Sequence, residues 1–229
     1  FVAGSVGPTG EIMHPIGELS HKIAVEVFHE QAQGLKEGGA DLIWVETISA
    51  PEEFRAAAEA FSYIDLPWIG TMSFDTAGRT MMGTSPTAMV DLISSIPNKP
   101  IAFGANCGTG ASDLLRTIQE FKKSSSDNIL VAKGNAGIPK YVNGHIKYDG
   151  TPELMAKYAI MARNSGAKII GGCCGTKPEH LLAMRASLEG EKLGNSPSLE
   201  QVELEIGPFT GPFKSELKKV TSKRRRRIT

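Results

Sequence analysis

Asn164-Ser-Gly-Ala-Lys-Ile-Ile-Gly-Gly-Cys-Cys-Gly-Thr-Lys-Pro-Glu179 holds the end of one helix, a short apolar strand and the start of the next helix. Gly166 follows the last periodic turn, where a helix that stops needs a residue tolerant of a left-handed backbone. Ala167–Ile170 is too short for a helix and reads as a buried strand. Thr176-Lys-Pro-Glu179 then offers a cap candidate and a first-turn proline, the usual signature of a helix start.

The same grammar repeats in both directions. Strands are predicted near 2–6, 41–46, 68–73, 101–106, 129–133 and 168–172, and helices near 20–38, 51–62, 86–95, 111–123, 151–165 and 178–189. Ser49-Ala-Pro-Glu-Glu53, Thr84-Ser-Pro86 and Gly150-Thr-Pro-Glu153 repeat the helix-start signal, and Glu37-Gly-Gly-Ala-Asp41 repeats the stop. Six β/α units in alternation give a parallel sheet, either open and doubly wound or closed as a (β/α)8 barrel. An open sheet for a dinucleotide calls for Gly-x-Gly-x-x-Gly between strand and helix, and the sequence has none. The expectation is therefore an α/β chain of the (β/α)8 TIM-barrel class. It would be truncated at the N-terminus, because the sequence opens on Phe1 and directly enters a strand.

At 229 residues, 41% of them hydrophobic, the chain can bury one full core. Its longest apolar runs, such as Leu42–Val45, are too short to span a bilayer, so no membrane partner is expected. Formal charge is zero but unevenly spread: residues 214–229 carry eight of the 25 basic residues and one of the 25 acidic ones. The body is thus mildly acidic, without the positive face that phosphate contacts require, and nucleic acid is set aside. Residues 1–190 form the expected barrel domain and 191–229 a C-terminal tail, docked or loose, whose Lys223-Arg-Arg-Arg-Arg227 run reads as a solvated end.

All three cysteines fall at C-terminal strand ends: Cys107 closes Phe103-Gly-Ala-Asn-Cys107, and Cys173 and Cys174 lie in Gly171-Gly-Cys-Cys-Gly175. In a β/α barrel this edge is the catalytic face. Cysteine is also a small buried hydrophobe, and the spacing is not that of a zinc finger. Placement at two strand ends nevertheless points to a metal centre with three thiolates, for which zinc is suited, and an open fourth position. Such a site is too electron-rich to make hydroxide well. It suits activation of a substrate thiol for alkylation. An odd number of cysteines in a large chain also argues against a secreted disulfide framework and for a reducing cytoplasm.

At these residues the sequence resembles the homocysteine S-methyltransferase family, which includes betaine–homocysteine methyltransferases and the homocysteine domain of cobalamin-dependent methionine synthase. The resemblance rests on Val2-Ala-Gly-Ser-Val-Gly-Pro-Thr-Gly10, Gly39-Ala-Asp-Leu-Ile-Trp-Val-Glu-Thr47, Gly104-Ala-Asn-Cys107, Gly134-Asn-Ala-Gly-Ile-Pro139 and Gly171-Gly-Cys-Cys-Gly-Thr176. It implies zinc on Cys107, Cys173 and Cys174, with the homocysteine sulfur as fourth ligand. It also implies methyl transfer to that sulfur to give methionine, with Glu46 facing the substrate ammonium. Gly7, in the Gly7–Gly10 turn, is a candidate partner for the substrate carboxylate, and Asn106 is taken with Glu46 and Gly7 as a substrate-binding candidate that, with Asn135, sits where it can tie the loops together. His180 is read as structural.

The family's first two β/α units have no counterpart here, so two exposed strand edges are expected. A chain ending soon after its last helix favours a stand-alone enzyme with betaine or a similar onium donor, for which Trp44, Trp68, Phe74 and Tyr141 are the aromatic candidates. Methylcobalamin, methyltetrahydrofolate or S-methylmethionine as donor, a non-catalytic zinc-binding barrel, and thiol redox chemistry at Cys173 and Cys174 remain as alternatives. A homo-oligomer is left open.

Overall fold

The computed structural model describes residues 1–75, 77–125 and 127–211; the basic run 223–227 lies outside them. The alternation read from the sequence is the architecture. Strands β1 (Ala3–Val6), β2 (Leu42–Ile48), β3 (Trp68–Met72), β4 (Ala102–Cys107) and β5 (Leu130–Gly134) are followed by a hairpin, β6 (Lys140–Val142) and β7 (His145–Lys147), and then by β8 (Ala167–Gly172). Between and after them run α1 (His21–Glu37), α2 (Pro51–Phe61), α3 (Pro86–Ser95), α4 (Ala111–Ser124), α5 (Pro152–Asn164), α6 (Pro178–Gly190) and α7 (Leu199–Glu205). The main sheet has the order β1-β2-β3-β4-β5-β8, and every neighbouring pair in it is parallel. These are six β/α units of the TIM-barrel type, with β1 and β8 as the sheet edges.

Local chemistry sets the helix boundaries. Ser20, Ser85 and Thr151 accept hydrogen bonds from the amides of Ile23, Ala88 and Leu154, satisfying donors that the first turn leaves unpaired. Helices α2 and α6 start differently from the sequence reading, since Ala50 and Lys177 occupy their cap positions. At α6 the work passes to His180, whose Nδ1 accepts the Lys177 amide at 2.9 Å while Nε2 meets the Gly150 carbonyl at 3.0 Å. His180 is buried and structural.

Strand alternation gives the sheet two different faces. The outer face packs under the helices: Trp68 of β3 interlocks with Phe54 and Phe61 of α2, and Phe61 with Phe28 of α1, with ring centroids 5.5–6.4 Å apart. Phe74 and Phe103 meet Phe121 edge-on at 5.5 and 5.7 Å. Burying each of these side chains contributes roughly 1.5–3 kcal/mol, so this layer holds the unit together. The inward face carries a smaller cluster, Ile69, Ala102 and Val131 with Leu42, Trp44 and Ile169. Above it, toward the strand C-termini, the inward residues become polar: Ser5, Glu46, Asn106 and Lys133.

After α6 the chain crosses back over the helices. In α7, Val202 is buried, and beyond it Ser112 Oγ donates to the Gly207 carbonyl at 2.7 Å and Thr210 N donates to Asp113 Oδ2 at 3.0 Å. Residues up to 211 therefore dock on the start of α4.

Candidate metal and acceptor site

Cys107 ends β4, and the loop after β8 brings Cys173 and Cys174 against it. That loop is pinned to the end of β5: Cys173 N donates to the Gly134 carbonyl at 2.7 Å, and Ala136 N donates to the Cys174 carbonyl at 2.9 Å. Gly172 permits the sharp return, since a Cβ there would lie 2.2 Å from Thr176 Oγ1. The three thiols are free, and their sulfurs all lie within 4.8 Å of one another, with Cys107 and Cys174 at 3.9 Å. Two sulfurs on one tetrahedral metal with bonds of about 2.3 Å stand roughly 3.8 Å apart, so this donor set fits a single ion with little rearrangement.

The electrostatics agree with that fit. A hydrogen bond from Cys107, helped by Asn106 and by the positive charge of Lys133, pulls Cys173 down to about 5 despite its burial. The same hydrogen bond, burial and the Cys173 charge raise Cys107. One thiolate thus keeps its neighbour protonated, and only a cation lets the thiols ionise together. Tyr148, just after β7, closes the cluster from the side. Burial, then its hydrogen bond to Cys174 and the nearby thiols, push its phenol up to about 12.

Two buried asparagines organise the surroundings. Asn135 donates to the Gly108 carbonyl at 2.9 Å, approaches Cys107 Sγ at 3.7 Å, and accepts from the Cys174 amide at 3.1 Å. It therefore ties both cysteine loops, as the sequence suggested. Asn106 accepts from the Thr47 amide at 2.8 Å, donates to Thr47 Oγ1 at 2.8 Å, and lies 3.5 Å from Glu46 Oε2 and 3.8 Å from Cys173 Sγ. Its side chain is wholly committed to positioning neighbours.

Glu46 faces the mouth by the alternation that also turns Leu42 and Trp44 inward, and next to it β2 is irregular, its register with β3 shifting between Val45 and Ile48. Thr47 adopts φ 65° and Cys107 φ 59°, left-handed conformations that are costly for a β-branched or thiol side chain. Both strained residues flank the site. Glu46 Oε1 accepts from Ser5 Oγ at 2.7 Å, and Oε2 pairs with Lys133 Nζ. Gly7 is exposed at the end of β1, and the Thr9 amide in the same turn donates to Glu53 Oε1 at 2.8 Å.

The aromatic candidates do not converge among the described residues. Trp68 and Phe74 belong to the outer core, and Tyr141 is 79% exposed on the hairpin. Trp44 alone lines the concave face, with its Nε1 on Thr71 Oγ1 at 3.2 Å and Lys133 Nζ 5.2 Å from its ring centroid. Lys133, Tyr148 and the strained Thr47 are the site residues that sequence reasoning missed. Of these, Lys133 had a signal, being a lone charge in an apolar buried strand.

The homocysteine S-methyltransferase family profile matches residues 1–188. Among solved structures, the fold is similar to the apo form of the homocysteine methyltransferase MmuM from Escherichia coli, with TM-score 0.66 and 25% identity over 81% of this chain and 62% of that one. The metallated form of the same enzyme matches at TM-score 0.62 and 26% identity, over 81% of this chain and 60% of that one. Its oxidized form matches at 0.56 and 26%, over 71% and 52%. The chain spans about three-fifths of the length of the first two structures. No helix among the described residues is long and apolar enough to cross a membrane.

Proposed function

Because the chain belongs to the homocysteine S-methyltransferase family, we propose that it transfers a methyl group to the thiol of homocysteine, forming methionine, with zinc held by Cys107, Cys173 and Cys174. The observation that carries this reading is the convergence of three free thiols beside a carboxylate, Glu46, at the C-terminal edge of the sheet. Cys107, Cys173 and Cys174 would hold the zinc, which when bound would leave a fourth position where an entering thiol would be more acidic and still nucleophilic.

The chain's own residues do the rest. Glu46 takes the substrate ammonium, and Ser5 and Asn106 hold that carboxylate in the mouth. Gly7, at the neighbouring strand end, lines the same opening. Positioning both reactants removes much of the entropic barrier to an in-line displacement. A sulfur–carbon bond then forms as the donor's bond to the methyl carbon breaks, its electron pair leaving with the donor. For that donor we infer a small onium compound such as betaine. Trp44 supports it as a ring on the concave face that already receives one ammonium, that of Lys133. A reducing cytoplasm, in which three free thiols persist, is the compartment we propose.

Elemental analysis of the full-length protein, compared with a Cys107→Ala, Cys173→Ala double variant, tests the reading. About one zinc per chain, lost in the variant and gaining a sulfur neighbour when homocysteine is added, is the expected result. Equal metal content in two correctly folded proteins would refute it and return the cysteines to packing or redox chemistry.

A further inference from the structure

Lys133 is the charge on the concave face that the reaction above leaves unused. It stands in β5, where Leu130, Val131 and Ala132 are fully buried and apolar. Its partner Glu46 lies on β2, and β3 and β4 separate the two strands in the sheet. The ion pair therefore spans the concavity instead of joining neighbours. The side chains are 23% and 16% exposed, so both charges are largely withdrawn from water yet reachable from the mouth.

The two partners are held very differently. Ser5, from the neighbouring strand β1, and Asn106, from β4, hold the Glu46 carboxylate. Lys133 approaches from the opposite wall on a flexible four-carbon stem, over the Trp44 ring. Asn106 Nδ2 lies within 3.8 Å of both Glu46 Oε2 and Cys173 Sγ, so the pair is one side chain away from the thiols. A four-carbon amino acid thiol can bridge that gap.

Resting on the homocysteine reading, we infer that Lys133 and Glu46 together read a zwitterion, Glu46 taking the α-ammonium and Lys133 the α-carboxylate. A half-buried ion pair is matched to such a ligand, because inserting a zwitterion exchanges one opposite-charge contact for two without changing net charge. An amine thiol without a carboxylate must instead compete with Lys133 for Glu46 and leaves the lysine without a new partner. The Thr9 amide, in the turn that sequence suggested for the carboxylate, is already given to Glu53. Lys133 brings a full positive charge to that task. The acceptor class is thus narrowed to α-amino acid thiols.

Calorimetric titration of the full-length, zinc-loaded protein tests this. Homocysteine is compared with 3-aminopropanethiol, which has the same thiol and ammonium but no carboxylate, in wild type, Lys133→Met and Lys133→Gln at matched zinc content. The preference for homocysteine should fall about tenfold or more in both variants, the fold-change expected for one charge-assisted hydrogen bond. The 3-aminopropanethiol affinity should hold or tighten as Glu46 becomes uncontested. Because the preference is a ratio taken on one sample, a partly misfolded variant does not mimic the effect. Equal weakening of both ligands, or an unchanged preference, would make Lys133 only a support for Glu46 and overturn the inference. Failure of wild type to bind either thiol would refute the homocysteine reading itself, and this inference with it.

Discussion

Replacing Asn106 by alanine removes at once the acceptor for the Thr47 amide and the donor to Thr47 Oγ1, with the weaker contacts to Glu46 and Cys173. Asn106 is fully buried, so water cannot readily take over these roles. An orphaned buried amide costs about 1–3 kcal/mol and the lost side-chain bond about 1 kcal/mol. Against this, Thr47 is released from its left-handed conformation at φ 65°, which stores roughly 1–3 kcal/mol, and part of that returns as the backbone relaxes. The net expectation is a loss of about 2–3 kcal/mol, or roughly 4–12 °C in Tm for a chain of this size. Urea unfolding followed by far-UV circular dichroism measures it, with Thr47→Gly made in both backgrounds. Glycine carries no penalty at positive φ, and it removes Oγ1, so the two substitutions share their effects and must be clearly non-additive. On the proposed homocysteine reading, loss of the Asn106 contact to Glu46 should also raise the KM for homocysteine. A cost below about 0.5 kcal/mol for Asn106→Ala, or additivity with Thr47→Gly to within about 0.5 kcal/mol, would refute the claim that Asn106 holds the strained strand end.

Two further outcomes follow from the same geometry. Tyr158 is fully buried and its hydroxyl accepts the Gly134 amide at 3.0 Å, so Tyr158→Phe should destabilise the protein by about 1–3 kcal/mol, and an unmoved urea midpoint would contradict that. In the metal-free protein, iodoacetamide labelling of Cys173, mapped by tandem mass spectrometry, should rise as pH increases through about 5 and then level off, because labelling follows the thiolate. The sign is that of a depressed acid: the stabilisation from Cys173 ionisation is present above the ordinary thiol range and is lost as pH falls through about 5. Cys107→Ala removes the hydrogen-bond donor and should move the midpoint upward. A single rise near the ordinary thiol value, about 8.5, would exclude the proposed hydrogen bond.

The elements that carry strong local chemistry were legible in the sequence. Proline after a cap position and glycine after the last turn located α2, α3, α5 and α6, and short apolar runs located the six parallel strands, because each signal acts within a few residues. The hairpin of β6 and β7 escaped notice although Asn143-Gly144 sits between Tyr141-Val142 and His145-Ile146, and both turn residues take positive φ. Its strands are exposed and three residues long, too short for alternation to stand out. Helix α7 likewise carries a capping box, Ser198 with Gln201, over a single buried residue, Val202. The thiol cluster was foreseeable because two strand ends share one edge of the sheet. The Lys133–Glu46 pair was not, since 87 residues and two intervening strands separate the partners and only sheet curvature brings them together. Nothing in Val45-Glu-Thr-Ile48 announces the irregular strand end beside Glu46.

What makes the thiol cluster suited to a metal is that its geometry is fixed by groups other than the sulfurs. Cys173 is held by the Gly134 carbonyl, Cys174 by Asn135, and the loop after Cys107 by the other end of the same asparagine. The backbone cost of gathering three sulfurs, including the positive φ of Cys107, is therefore met by hydrogen bonds that do not depend on an ion. The cost that remains is electrostatic. Cys173 ionises readily only because Cys107 lends it a proton, and that arrangement cannot extend to all three thiols in so small a volume. A structural core would avoid this charge conflict with alanine or valine, and a redox pair would need only two sulfurs. Three sulfurs, preorganised by the backbone and opposed only by their own charge, form a donor set suited to a divalent cation.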